Sequence, residues 1–398
     1  MKKILFVIES LVCAGAEKSL VTLLNLIDYS KYEVDLQLFS YGGEFEEMLP
    51  KEVNLLPELP YYKSTRESLK TAILRHKTSV ERSMIASRIR YSLTLRTGKY
   101  TNPQKAVLFW KNTSSCFETS KKEYDVAIAY AQGTPTFYVA DCVQAKKKFA
   151  WINVTYKPTG KYRDYIVKKY QNFDKISCVS DSAFEIFQQV FPEVRDRGTV
   201  IYDINDGQFM MRMSDMESSV GNDMKSGEIK LLTIGRLAPQ KGYDIALEAC
   251  RILKERGIQF VWYALGRGPL EEELRKDILS KKIEDYFVLL GTRANPYPYI
   301  KCSDIYVQTS KLEGYGLAMA EARMLNTPVV TTRFDAVYAQ MGEGENGLVV
   351  DMTSEAVADG IERLIKDKEL YEHIVEYQKQ EKKGNYEEID KFYTLIEG

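Results

Sequence analysis

Asp304–Thr332 reads DIYVQTSKLEGYGLAMAEARMLNTPVVTT, and three kinds of local structure follow one another in it. A β-branched and aromatic run ends near Thr309, and a loop then holds Glu313-Gly-Tyr-Gly316. An apolar helical pattern starts at about Gly316, and a second β-branched run begins at Pro328. Strand, helix and strand in this order make a parallel pair, because only a crossover returns the chain to the same sheet edge. Two glycines at a strand-to-helix turn let backbone amides approach a ligand closely. The helix N-terminus adds unpaired donors and the positive end of a dipole, a natural seat for a diphosphate. Open α/β sheets bind their ligands at this carboxyl edge.

The same alternation extends outward through most of the chain. Strands are expected in the first half at Ile4–Glu9, Glu33–Phe39, Asp125–Tyr130, Lys148–Asn153, Lys175–Ser180 and Thr199–Asp203. In the second half they are expected at Lys230–Gly235, Phe260–Gly266, Tyr286–Gly291, Asp304–Thr309, Pro328–Thr332 and Gly347–Asp351. Apolar strands separated by amphipathic helices imply doubly wound parallel sheets covered on both faces. A chain of 398 residues is too long for one ordinary core, so two such domains are expected. The apolar signal collapses over Asp203–Glu228, the best linker candidate. This divides the chain into residues 1–205 and 206–380, with a helix at about 381–398 crossing back to the first domain.

Composition removes several classes of function. The formal net charge of −1 gives no global attraction to nucleic acid, and no nucleic-acid partner is expected. Six scattered cysteines without a C-x-x-C pair fit buried thiols better than disulfides or zinc. With only His76 and His373 in the chain, a histidine-rich metal centre is excluded. No metal and no cofactor are expected. Glu9 interrupts the apolar run after ILFVI, leaving too short a core for an export signal, and no stretch approaches a membrane span. The chain therefore reads as cytoplasmic. Residues 63–111 stand apart, with twelve basic residues against Glu67 and Glu81, interleaved with Leu69, Ile73, Leu74, Leu93 and others. Such a basic helical insertion suits an anionic membrane surface at the inner face of the plasma membrane; the plainer alternative is a solvated helix pair covering a sheet edge.

Three further segments hold candidate site residues. Gly235–Tyr243, GRLAPQKGY, follows the first strand of the second domain and would project Arg236 and Lys241 from the same sheet edge. Two fixed cations facing a helix N-terminus are what a departing diphosphate needs. Glu321 lies in an otherwise apolar helix, where a lone carboxylate is costly. It is either half of a structural ion pair, with Arg323 or another cation, or an acceptor for ligand hydroxyls. Gly15, in AGAEK, and Gly266, in GRGPL, each follow a strand, but no G-x-G-x-x-G dinucleotide fingerprint is present.

Together GRLAPQKGYD, GRGPLEEEL, ANPYPYI, SDIYVQTSKLEGYGLAMAEA and TPVVTT with ENGLVV resemble the family 4 glycosyltransferases of the bacterial cell-surface polysaccharide type. The likeness covers nearly the whole second domain and is thinner in the first, resting on CAGAEKSL, YDVAIAY and SCVSDSAFEIF. It implies the GT-B architecture of two facing Rossmann-like domains, the first on the acceptor side and the second binding the donor nucleotide. It further implies retaining, metal-independent sugar transfer from a nucleotide-sugar, UDP-linked by preference, to a saccharide or lipid-linked saccharide. Carried over, Arg236 and Lys241 would bind the donor diphosphate, Glu313 a hydroxyl of the transferred sugar and Glu321 the ribose. Gly15, Gly235, Gly266, Gly314, Tyr315, Gly316 and Leu317 would line the donor. Relatives carry a histidine where this chain has Asn153, which can donate a hydrogen bond but cannot act as a base; it is expected to contact sugar or acceptor. The alternatives are an epimerase of the same fold, disfavoured by the scarcity of histidine, and a non-catalytic partner subunit, disfavoured by the intact Arg236, Lys241, Glu313 and Glu321.

Overall fold

The computed structural model describes residues 1–12, 15–75, 78–154, 156–216, 220–225, 227–293, 295–313, 316–334 and 337–398. The chain divides into two compact units, one of residues 1–204 with 386–398, the other of residues 205–385.

In the first unit the strands are β1 (Lys2–Ile8), β2 (Tyr32–Leu38), β3 (Asn54–Leu55), β4 (Glu123–Ala129), β5 (Gln144–Ile152), β6 (Lys175–Cys178) and β7 (Gly198–Val200). They form a parallel sheet in the order β3-β2-β1-β4-β5-β6-β7. Ile4, Leu5, Phe6, Val7 and Ile8 of β1 are all buried, because a central parallel strand has helices on both faces. The two-residue β3 carries too little apolar sequence to be seen as a strand beforehand. The C-terminal helix Glu388–Glu397 belongs to this unit: Phe392 stacks on Phe6 at 6.1 Å and Tyr393 on Tyr32 at 5.6 Å. The returning segment starts at Tyr386, rather than at 381.

The region 63–111 is helical as expected, in Pro60–Thr65, Leu69–Arg75, Ser79–Arg96 and Asn102–Thr113. It is not wholly solvated. Val107 and Trp110 enter the core of the first unit, and the Trp110 indole donates to Asp141 (2.7 Å).

The second unit has β8 (Ile229–Ile234), β9 (Phe260–Leu265), β10 (Phe287–Gly291), β11 (Ile305–Gln308), β12 (Val329–Thr332) and β13 (Gly347–Val350). Its parallel sheet runs β10-β9-β8-β11-β12-β13. The stripe Ile245, Ala249 and Leu253 is buried in one core cluster with Trp262 and Val307. The division between the units at 204/205 falls inside the expected linker Asp203–Glu228, but the stretch is not without structure: it forms the helix Gly207–Ser214. Phe209, Met210 and Met213 supply an apolar stripe at helical spacing and are buried. Methionines in a polar, serine-rich setting hid that stripe.

Candidate functional site

The site in the second unit is built by loops that leave the sheet at its carboxyl edge. After β8 the chain turns through Gly235–Gly242. Gly242 is left-handed (φ +64°), and a Cβ there would stand 1.9 Å from Thr309 O, so only glycine lets this loop lie on the end of β11. Thr309 Oγ1 donates to Lys241 O (3.0 Å) and the Lys311 amide to Gln240 O (2.8 Å). The clamp sets Lys241 Nζ 2.5 Å from Glu313 Oε2, to which Ser310 Oγ also donates (3.0 Å). Gly235 and Gly266 tie neighbouring loops together. The Gly235 amide donates to Leu265 O (2.9 Å), the Gly266 amide to Gly291 O (2.9 Å) and the Leu237 amide to Arg267 O (3.1 Å). Arg236 is exposed on this platform, with no side-chain hydrogen bond or ion pair among the described residues.

The loop after β11 reaches the helix Leu317–Met324 through Gly316, a left-handed N-cap (φ +77°, ψ 53°) that has no side-chain cap. The first helical bonds run from Met319 and Ala320 to Gly316 O (3.0 and 3.1 Å). The amides of Leu317 and Ala318 therefore have no acceptor within the helix. Glu321 is 5% exposed in that helix, one turn from its start. Arg323, offered by the sequence as its partner, instead pairs with Glu381 (2.6 Å) and donates to Gln340 Oε1 (3.2 Å). Gly314 and Tyr315 lie outside the described residues.

Gly15 and Asn153 belong to the first unit, at the carboxyl edge of its own sheet. Gly15 opens the helix Gly15–Leu26; a Cβ there would meet nothing within 4 Å, so neither backbone nor packing demands glycine. Ala14, which precedes it, lies outside the described residues. Asn153 follows β5; its Nδ2 donates to Tyr130 O (2.7 Å) and its backbone amide donates to Gln132 Oε1 (3.1 Å). Its Oδ1 is buried without a partner. The sequence reading credits Asn153 with a donor; the structure engages the amide nitrogen on Tyr130 and leaves an acceptor in reserve. Nearby, Ser19 Oγ donates to Asp203 Oδ1 (2.5 Å) and shares a hydrogen bond with Tyr130 OH (2.9 Å). Burial pushes the Asp203 carboxyl up to about 6, against the Ser19 hydrogen bond and the Lys18 charge.

The structure thus brings Gly235, Lys241, Glu313, Gly316 and Leu317 to one sheet edge, with Gly266 on the next loop. Sequence reasoning missed the clamp residues Gly242, Thr309 and Ser310, although a glycine directly after Lys241 was the available signal. Among the described residues no group of His, Cys, Asp and Glu could hold a metal ion, and no helix is long and apolar enough to cross a membrane.

Two doubly wound parallel-sheet units of this kind define the GT-B class. The chain is similar in fold to Anabaena Alr3699/HepE, solved in complex with UDP-glucose, with a TM-score of 0.65, 18% identity and 100% of both chains covered. It is likewise similar to a glycosyltransferase of Rickettsia africae ESF-5, with a TM-score of 0.63, 14% identity and 100% of this chain and 98% of that one covered. Residues 216–381 match the family model described as Glycosyl transferases group 1. Among curated relatives, the alpha-D-kanosaminyltransferase of Streptomyces kanamyceticus is 28% identical over 149 residues, 37% of this chain and 39% of that one. A putative colanic acid biosynthesis glycosyltransferase, WcaL, of Salmonella typhimurium is 30% identical over 141 residues, 33% of this chain and 34% of that one. The matched stretch spans well under half the length of these relatives.

Proposed function

We propose that this protein is a retaining, metal-independent glycosyltransferase. It moves a sugar from a nucleoside-diphosphate donor, UDP-linked by preference, to a saccharide or lipid-linked saccharide in cell-surface polysaccharide assembly. The observation that carries the reading is Lys241, held 2.5 Å from Glu313 beside the uncapped helix at Gly316. The relatives named for polysaccharide biosynthesis and the fold neighbour solved with UDP-glucose support the choice of substrates.

In this reading the donor diphosphate takes acceptors' places at the Leu317 and Ala318 amides and draws Lys241 and Arg236. Glu313 already neutralises Lys241, so the diphosphate competes for that cation and frees Glu313 for a hydroxyl of the transferred sugar. The bond from the anomeric carbon to the phosphate oxygen breaks as the bond to the acceptor oxygen forms on the same face. The leaving phosphate takes the acceptor proton, while cations and helix amides hold its charge. Thermal stabilisation by UDP, GDP, ADP and their sugar conjugates tests the site, repeated with Glu321→Ala. Stabilisation by one nucleotide class, lost in the variant, is expected; no shift with any of them would sink the reading.

The membrane-facing part of the proposal rests on the helices Leu69–Arg75 and Ser79–Arg96. They expose Ile73, Leu74 (86%), Val80 and Leu93 alongside Lys70, Arg82, Arg90 and Arg96. Apolar and basic side chains together suit an anionic bilayer surface. Cosedimentation with phosphatidylglycerol-containing vesicles, but not with pure phosphatidylcholine, is expected and should weaken with salt; equal recovery with both would remove this part.

A further inference from the structure

Gln308 ends β11, in register with Thr331 of β12, and is 3% exposed. Its Oε1 accepts from Tyr306 OH (3.2 Å). Its Nε2 is buried and has no partner. Buried amide donors are almost always bonded, and one left unpaired costs stability that a methionine or leucine of the same size would not. The position of this donor is informative. A Cβ added to Gly316 would stand 3.3 Å from Gln308 Nε2, so the unpaired amide lies directly against the turn that opens the helix Leu317–Met324. That turn also carries the Leu317 and Ala318 amides, which have no acceptor within the helix. On the other side, Gln340 Nε2 would be 3.4 Å from the same added Cβ, while its Oε1 accepts from Arg323. Gln308 Nε2 and the Leu317 and Ala318 amides gather around Gly316, and the group that suits them is an oxyanion.

We propose that Gln308 is a phosphate-binding residue of the donor site, with Nε2 donating to an oxygen of the nucleoside diphosphate seated on the helix N-terminus. The proposal rests on the glycosyl-transfer reading above and adds to it a contact from inside the sheet. With Nε2 closed off from water beside Gly316, this bond forms only as the backbone at Gly316 moves aside. Glycine, with no side chain to clear, is suited to that movement. Phosphate binding is thereby coupled to a shift at the start of the helix that carries Glu321.

The test titrates the full-length protein with UDP by calorimetry and with uridine by saturation-transfer NMR, for wild type, Gln308→Met and Gln308→Glu. Melting of each protein alone is the control. Gln308→Met keeps the shape and removes the donor, while Tyr306 OH keeps Ile234 O as an acceptor (3.3 Å); it should lower UDP affinity about tenfold or more, as for a hydrogen bond to a charged group. Uridine binding should stay within about twofold, and the melting temperature without nucleotide should not fall. Gln308→Glu, which sets a carboxylate against the phosphate, should weaken UDP further. UDP affinity unchanged in Gln308→Met, with wild type binding UDP, overturns this inference and leaves the proposed function standing. Parallel losses in UDP affinity, uridine affinity and melting temperature mark a structural role and also overturn it. Failure of wild type to bind UDP, GDP or ADP removes the inference and its parent together.

Discussion

At the carboxyl end of the C-terminal sheet the groups in reserve are hydrogen-bond donors. They are the exposed Arg236 guanidinium, the uncapped amides of Leu317 and Ala318, and Gln308 Nε2. At the corresponding end of the N-terminal sheet they are acceptors. Asn153 Oδ1 is buried and unpaired, and Glu9 and Glu17 make no ion pair among the described residues. Burial, with the neighbouring Glu9 charge adding to it, pushes the Glu17 carboxyl up. A whole-chain charge of −1 carries no sign of this opposition. The lesson is chemical: one edge is suited to an anion, the other to hydroxyl groups. Two units of the same fold thus present opposite hydrogen-bonding groups at their strand ends.

The sharpest way to break the comparison is to remove a donor-edge cation. Lys241→Ala or Arg236→Ala should reduce kcat/KM for the nucleotide-sugar by about 10²–10³, the usual cost of losing a preorganised group that stabilises developing charge. Lys241 needs a further control, because among the described residues its removal leaves Glu313 with only the Ser310 hydroxyl as a hydrogen-bond partner. If Lys241 served only to neutralise Glu313, Lys241→Ala with Glu313→Gln would recover UDP affinity, to which the sugar-facing Glu313 does not contribute. The double variant should stay as impaired as the single one. Recovery would reduce Lys241 to a structural ion pair and leave Arg236 to carry the edge.

The donor edge was legible in the sequence because its chemistry is local. Glu313 and Gly316 sit in one short loop, and Lys241 and Gly242 in another, each directly after a strand whose apolar run is easy to see. The clamp was not legible, since Thr309 Oγ1 on Lys241 O joins residues far apart in sequence. Gln308 was hidden for a different reason. A polar residue at a strand end reads as the onset of a loop, and only burial and an unpaired amide distinguish it. In the N-terminal unit, Asn153 could be singled out by position, but the direction of its amide is set by Tyr130 O, a tertiary fact. The helix Gly207–Ser214 escaped because Met210 and Met213 were too few to outweigh the polar residues around them.

Asp203 offers a finer test of the acceptor edge, because a carboxyl that holds its proton is a donor. Burial pushes its pKa up from the ordinary carboxylate range to about 6. The folded chain therefore keeps a proton that the unfolded chain loses, and stability must fall as pH rises from about 4 to about 6. Below that window the contribution is fully present; above it, it is gone. A shift of roughly two units corresponds to about 2–3 kcal/mol as an upper estimate, a few degrees in melting temperature. Asp203→Asn cannot ionise, yet it can still accept from Ser19 Oγ. The difference in melting temperature, variant minus wild type, should be near zero at pH 4, grow through pH 6 and stay positive at pH 7.5. Taking the difference cancels the other titrating groups. A flat difference across that range would mean that Asp203 titrates in the folded chain as it does unfolded, and the N-terminal edge would then be an acceptor surface above about pH 5.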